Sequence, residues 1–126
     1  MIVADSSTWV AYLELAAGPD VELLQEAVDD LRVRMAPAAL TELLSGPLVS
    51  AEAAGFFSSI PLLDILPGYW ERAGRLRAGV LASGRRARLG DALIAQSCLD
   101  YDLALLTRDR DFTAFTAAGL RLWARA

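Results

Sequence analysis

Short apolar runs alternate with helical stretches along this chain of 126 residues, and four of the apolar segments carry an acid where they run out. Asp5 ends Met1-Ile2-Val3-Ala4-Asp5. Glu42 lies in Pro37-Ala38-Ala39-Leu40-Thr41-Glu42-Leu43-Leu44. Asp91 opens Gly90-Asp91-Ala92-Leu93-Ile94-Ala95, and Asp109 follows Leu103-Ala104-Leu105-Leu106-Thr107-Arg108. A carboxylate beside buried apolar chain is costly unless opposite charge compensates it. Four of them on separate segments, gathered by a fold, make an all-oxygen site suited to a hard dication such as Mg²⁺ or Mn²⁺.

The apolar runs also set the fold class. Residues 2–5, 32–36, 61–66, 103–107 and 120–123 read as short strands, the first of them buried. Between them, helical spacing covers 8–17, 21–31, 37–44, 50–59, 69–82, 91–100 and 112–118. Pro37 suits the first position of its helix, and Gly46-Pro47 closes it. Strands alternating with helices predict a parallel sheet in a three-layer α/β/α domain spanning 1–126. In such sheets functional groups collect beyond the carboxyl ends of the strands. Asp5 and Asp109 stand at such ends, and Glu42 and Asp91 sit on helices that reach the same edge.

Absences narrow the chemistry. The chain has no His, so a Ser-His-Asp triad and His-ligated zinc are excluded. All 12 basic residues are Arg, which excludes a P-loop lysine, a Schiff base and the lysine of phosphoaspartate enzymes. Cys98 is the single cysteine, so no internal disulfide forms; its apolar neighbours at helical spacing predict a buried thiol. No apolar stretch is long enough to span a bilayer and no signal peptide is evident, which fits a cytoplasmic protein. The net charge of −4 is unlike that of a simple nucleic-acid binder, but bound dications would offset the four acids locally. Arg85, Arg86 and Arg88 lead straight into Asp91 and suit phosphate contact. Arg72, Arg75 and Arg77 read as a solvated helix face.

Each acid has a plainer alternative. Asp5 could cap the helix that follows, although Ser6 and Ser7 are present for that role. Glu42 could be a solvated helix residue, and Asp91 a helix N-cap. Asp109 competes with Asp111, which is placed to cap the short helix beginning near Phe112. Ser7 and Thr107 could cap a helix or orient a carboxylate. The ordered set carries more weight than any one position.

That set resembles the PIN domain, and more closely the VapC-type toxin of bacterial toxin–antitoxin pairs. The matching stretches are Ile2–Ser7, 37–44 with Glu42, and above all Leu89-Gly90-Asp91-Ala92-Leu93-Ile94-Ala95-Gln96, followed by Leu105–Phe112. The resemblance covers essentially the whole chain. It implies a metal-binding acidic quartet of Asp5, Glu42, Asp91 and Asp109, with Ser7 and Thr107 as small hydroxyl residues beside it. It also implies Mg²⁺- or Mn²⁺-dependent cleavage of RNA and growth arrest when the enzyme is free. A VapB-type antitoxin partner and a homodimer follow from the same resemblance. Trp9, Tyr12, Phe56 and Phe57 offer contact surfaces, or ordinary core packing. The main alternative is a PIN-like module that binds RNA or acts as a scaffold without cutting. A phosphatase of the phosphoaspartate class fits less well, because its lysine is absent.

Overall fold

A computed structural model describes residues 1–47 and 49–123. Its centre is a parallel sheet of β1 (Ile2–Ala4), β2 (Val33–Arg34) and β3 (Leu105–Leu106), ordered β2-β1-β3. β1 pairs Ile2 with Val33 on one side and Val3 with Leu105 on the other. Every residue of β1 is buried, so a continuous apolar run rather than an alternating one specifies it. The strands expected over 61–66 and 120–123 shrink to single parallel bridges, Met35 with Leu62 and Leu105 with Leu122. Both lie at the sheet's margins. Pro61 has no N–H to extend its pairing; the Met35 N–H donates to the Pro61 carbonyl and the Met35 carbonyl accepts from the Leu63 N–H.

Helices flank this sheet in a three-layer α/β/α arrangement: α1 (Ser6–Leu13), α2 (Pro19–Asp29), α3 (Pro37–Leu44), α4 (Ala51–Ser59), α5 (Tyr69–Ala82) and α6 (Leu89–Asp100). The short helix expected over 112–118 is a 3-10 helix, Arg110–Ala118, and starts two residues earlier. α1 starts earlier and ends earlier than its periodicity suggests. It starts at Ser6 because Asp5 caps it, and it ends before Leu15, whose φ of 56° is left-handed. Pro19 opens α2 two residues before the expected start, its fixed φ being preset for a first helical turn. No helix among the described residues is long and apolar enough to cross a membrane.

The core contains the expected buried thiol and two of the four aromatics. Cys98 is fully buried and its thiol is pushed up to about 12 by burial, so it is a packing residue. Trp9 and Phe57 are also fully buried, and the Trp9 ring meets Tyr12, Phe56 and Phe57 edge-on at 5.6–5.9 Å. Edge-to-face pairs add to burial energy, and truncating such a ring costs about 3–5 kcal/mol. This cluster joins α1 to α4. Tyr12 and Phe56 stack on each other at 5.9 Å and are only half-buried.

Candidate active site

Asp5 follows β1 at the sheet's central strand and is 3% exposed. Both of its oxygens are held. Oδ1 accepts from the Ser7 hydroxyl at 2.7 Å and from the Thr8 N–H at 3.2 Å. Oδ2 accepts from the Thr107 hydroxyl at 2.7 Å. Asp5, not Ser6 or Ser7, is the N-cap of α1, so the residue carries the capping role and the site position together. Ser7 and Thr107 work as a matched pair. The Ser7 hydroxyl accepts from the Arg108 N–H at 2.9 Å, and the Thr107 hydroxyl accepts from the Asp109 N–H at 2.9 Å. Each therefore ties one Asp5 oxygen to one backbone N–H beyond β3. Burial raises the Asp5 pKa above 3.8; the Thr107, Ser7 and Thr8 hydrogen bonds oppose it, and the Asp109 charge adds to it.

α6 delivers Asp91. Its N-cap is Arg88, which makes no side-chain capping bond, and Asp91 lies in the first turn rather than at the cap. The Asp91 residue is 7% exposed. Burial pushes its carboxyl up to about 6; Asp109, Glu42 and Asp5 push the same way and Arg88 opposes them. Asp109 comes from the turn after β3 and Asp111 from the first turn of the 3-10 helix. Carboxylate oxygens of Asp91, Asp109 and Asp111 all lie within 4.8 Å of one another. The cap is Asp109 rather than the expected Asp111, and Asp109 keeps its place among the acids. Asp109 is the N-cap of the 3-10 helix, its Oδ1 accepting from the Asp111 N–H at 2.9 Å, while Asp111 stands in the acidic group beside it. A 3-10 helix that starts at Arg110 moves the cap two residues towards β3.

Glu42 approaches from α3. The residue is exposed overall, but its carboxyl packs on the first turn of α6: a Cβ at Gly90 would stand 2.9 Å from Glu42 Oε2. Glycine at 90 thus admits the carboxyl. The Ser6 hydroxyl donates to Glu42 Oε1 at 3.4 Å. Burial raises the Glu42 pKa, the Ser6 hydrogen bond lowers it, Asp5 and Asp109 raise it, and Arg88 lowers it. The charges of the four expected acids therefore act on one another, and Asp111 lies close to two of them, Asp91 and Asp109.

A clasp that no local motif announces steadies the turn between Thr107 and Asp109. Arg108 reaches Asp20 with two bonds, Nε to Oδ2 at 2.6 Å and Nη2 to Oδ1 at 2.9 Å, and Nη2 also donates to the Ala17 carbonyl at 2.9 Å. The fork is bidentate and planar, a geometry Lys cannot reproduce. It holds the Asp20 carboxyl below its ordinary range. Gly18, at φ 146°, leaves room for it.

The arginines divide by role. Arg85 Nη2 donates to Thr113 Oγ1 at 3.0 Å and Arg86 Nη1 lies 3.8 Å from Asp111 Oδ2, which places both beside the 3-10 helix. Arg88 faces Glu42 and Asp91 electrostatically. The upstream trio is not a solvated face. Arg72 forks onto Asp100 at 3.0 and 2.7 Å and bonds the Pro67 carbonyl, joining α5 to α6, and Arg77 Nε donates to the Ala87 carbonyl at 2.8 Å. Arg75 alone of the three is exposed.

Comparison with known proteins agrees with this architecture. The family model described as "PIN domain" matches residues 2–117. Ribonuclease VapC5 of Mycobacterium tuberculosis (strain ATCC 25618 / H37Rv) is 31% identical over 122 residues, which cover 92% of this chain and 88% of that protein. Two solved structures share the fold. The crystal structure of FitAcB from Neisseria gonorrhoeae aligns with a TM-score of 0.70 and 18% identity, covering 98% of this chain and 97% of that one. A member of the VapBC family of toxin–antitoxin systems, VapBC-5 from Mycobacterium tuberculosis, aligns with a TM-score of 0.64 and 23% identity, covering 96% and 98%. With its central parallel sheet and its acids at the carboxyl edge, the chain belongs to the PIN-domain family and within it is of the VapC type.

Proposed function

We propose that this chain is a metal-dependent endoribonuclease that serves as the toxin of a type II toxin–antitoxin pair. The observation that carries the reading is the grouping of Asp91, Asp109 and Asp111 oxygens within 4.8 Å, beside an Asp5 whose two oxygens are already oriented. The donor set is entirely oxygen and crowds like charge, and it fits a hard dication. Asp91, Asp109 and Asp111 would hold the ion, with Asp5 and Glu42 completing its surroundings. When bound, such an ion polarises a phosphodiester oxygen and makes water a better nucleophile near neutral pH.

The remaining work belongs to the chain. Ser7 and Thr107 hold the Asp5 carboxylate in place before any ion or substrate arrives, so little reorganisation is needed. Arg85, Arg86 and Arg88 would contact phosphates along the strand. An apolar cleft of about 410 Å³, with Val10, Leu13, Leu43 and Phe57 in its wall and Glu42 at its edge, supports docking of a VapB-type antitoxin segment over the site. Exposed Trp70, Ile65 and Leu89 lie around a separate cleft and support a homodimer contact. The antitoxin assignment draws on the toxin–antitoxin system named for a structural neighbour.

The test is cleavage of single-stranded RNA by the purified chain. Cleavage is expected with Mg²⁺ or Mn²⁺, weakly with Ca²⁺, and not in EDTA. Undiminished cleavage after EDTA and dialysis would remove the metal mechanism. Tight RNA binding without cleavage in any ion would favour a non-cutting PIN-like module.

A further inference from the structure

A third cleft, of about 400 Å³, opens beside the acids and is lined by Thr107, Asp109, Arg110, Thr113, Leu122 and Trp123. We propose that it is a base-binding subsite, accepting one unpaired nucleobase of single-stranded RNA against the Trp123 indole, next to the phosphodiester engaged at the acids. The proposal rests on the reading that the chain acts on RNA.

Continuity is the first argument. Thr107 and Asp109 belong to both places: Thr107 donates to Asp5 at 2.7 Å, and Asp109 stands in the acidic group. A strand with a phosphate at the acids therefore has a neighbouring nucleotide at the cleft. Chemistry is the second. Trp123 is 39% exposed, although an indole is an apolar ring that burial would stabilise. Its backbone is fixed, because the Trp123 N–H donates to the Leu105 carbonyl at 3.0 Å and Leu122 bridges to Leu105. A platform already anchored to the central sheet loses little freedom when a base stacks on it. Leu122 adds an apolar wall.

Charge is the third. The acids repel a polyanion, so the strand needs cations close by. Arg110 lines the cleft, is exposed, and has no ion-pair partner among the described residues. Arg85 reaches the same wall through its 3.0 Å bond to Thr113 Oγ1. An indole beside guanidinium groups is the combination that binds single-stranded nucleic acid by stacking with backbone neutralisation. Leu122 and the Trp123 indole form the apolar face of the cleft, so stacking is the contribution proposed for it.

Intrinsic fluorescence reports this directly. The chain has three tryptophans; Trp9 is buried, and Trp70 is exposed. In a Trp70→Phe protein held in EDTA, Trp123 is the exposed emitter. Hexauridylate and hexaadenylate should quench it saturably, while an abasic hexamer of the same backbone should need at least about tenfold more for the same effect. In the cleavage assay, Trp123→Ala should raise KM by about tenfold and lower kcat less, with Trp123→Phe recovering most of the loss. Equal quenching by the abasic strand, or a wild-type KM in Trp123→Ala, would overturn the subsite. So would quenching that grows with protein concentration alone, which would make the cleft a contact between copies of the chain. If Trp123→Ala does not fold, the fluorescence comparison decides. Base-dependent quenching by a protein that cleaves no RNA would keep the subsite and remove the ribonuclease reading; cleavage without base-dependent quenching would do the opposite.

Discussion

The Thr107 hydroxyl donates to Asp5 Oδ2 at 2.7 Å and accepts from the Asp109 N–H at 2.9 Å, so one side chain sets the positions of two acids that lie on different strands' ends. Replacing it with valine keeps the shape and removes both bonds. The Asp109 N–H then loses its acceptor and Asp5 a donor. Thr107→Val should cost about 1–3 kcal/mol of stability and lower cleavage at least about tenfold. Thr107→Ser should recover much of both. Thermal melting and a cleavage time course check this, and a valine variant matching wild type in both would contradict it.

Asp109 and Asp111 should both matter for the ion, because both contribute oxygens to the group with Asp91. An ion that binds only the folded state raises the melting temperature by mass action. Mg²⁺ should raise it clearly for wild type, and less for Asp109→Asn and for Asp111→Asn. Without Mg²⁺ the variants should stay near or above wild type. Asn still caps the 3-10 helix, charge repulsion is relieved, and the Arg86–Asp111 pair at 3.8 Å is exposed and worth little. A wild-type Mg²⁺ response in Asp111→Asn would return the fourth ligand to Asp109 alone.

The Arg108 clasp should act at a distance on the same turn. A Cβ at Gly18 would meet Asp20 Oδ1 at 2.6 Å and Arg108 Nη2 at 2.8 Å, on a backbone at φ 146°. Gly18→Ala should therefore cost about 1–3 kcal/mol. Arg108→Lys should keep the charge and lose the fork. In both, amide exchange at Arg108 and Asp109 should quicken, since those N–H groups are held by the Ser7 and Thr107 hydroxyls. Unchanged protection at both amides would show that the clasp does not steady the turn.

The acids give the metal-free protein a definite pH dependence. Asp91 titrates near 6 when folded against an ordinary 3.8, so between those values the folded chain holds a proton that the unfolded chain releases. Stability from this group is complete below about 4 and is lost as pH rises through about 6, by an amount on the order of 1–2 kcal/mol once water access is allowed for. Asp5 and Glu42, also raised, act in the same direction. Asp20 and Asp100 are lowered by Arg108 and Arg72; their contribution is present above the ordinary range and is lost only as pH falls below it. Melting in EDTA should therefore decline from pH 4.5 to pH 7, and Asp91→Asn should flatten that slope. A slope identical to wild type in Asp91→Asn would remove the assignment.

Much of the scaffold is legible in the chain. α5 occupies the expected 69–82, because a long amphipathic stretch stands between Pro67-Gly68 and Ser83-Gly84. β1, β2 and β3 fall within the expected apolar runs. The marginal bridges at Leu62 and Leu122 are less legible, since pairing at a sheet edge depends on the neighbour's free groups rather than on local pattern. Capping misleads for a different reason. An Asp suits a helix cap and a cation equally well, so local sequence cannot divide the roles of Asp5 from Ser7, or of Asp109 from Asp111. The Arg108–Asp20 clasp joins residues 88 apart, and Glu42 meets Gly90 only through tertiary packing. Neither leaves a periodic or spacing signal.

The central claim is that the gathered acids cut RNA, and Asp5→Asn tests it most directly. The substitution keeps the side chain's shape and its place after β1 while removing the charge that an ion requires. Cleavage of one RNA by wild type and Asp5→Asn, side by side in Mg²⁺ and in EDTA, with circular dichroism and a melting curve on each, gives the answer. The expected result is cleavage by wild type in Mg²⁺ only, and none by a folded Asp5→Asn protein. A folded Asp5→Asn protein that cleaves like wild type would contradict the account.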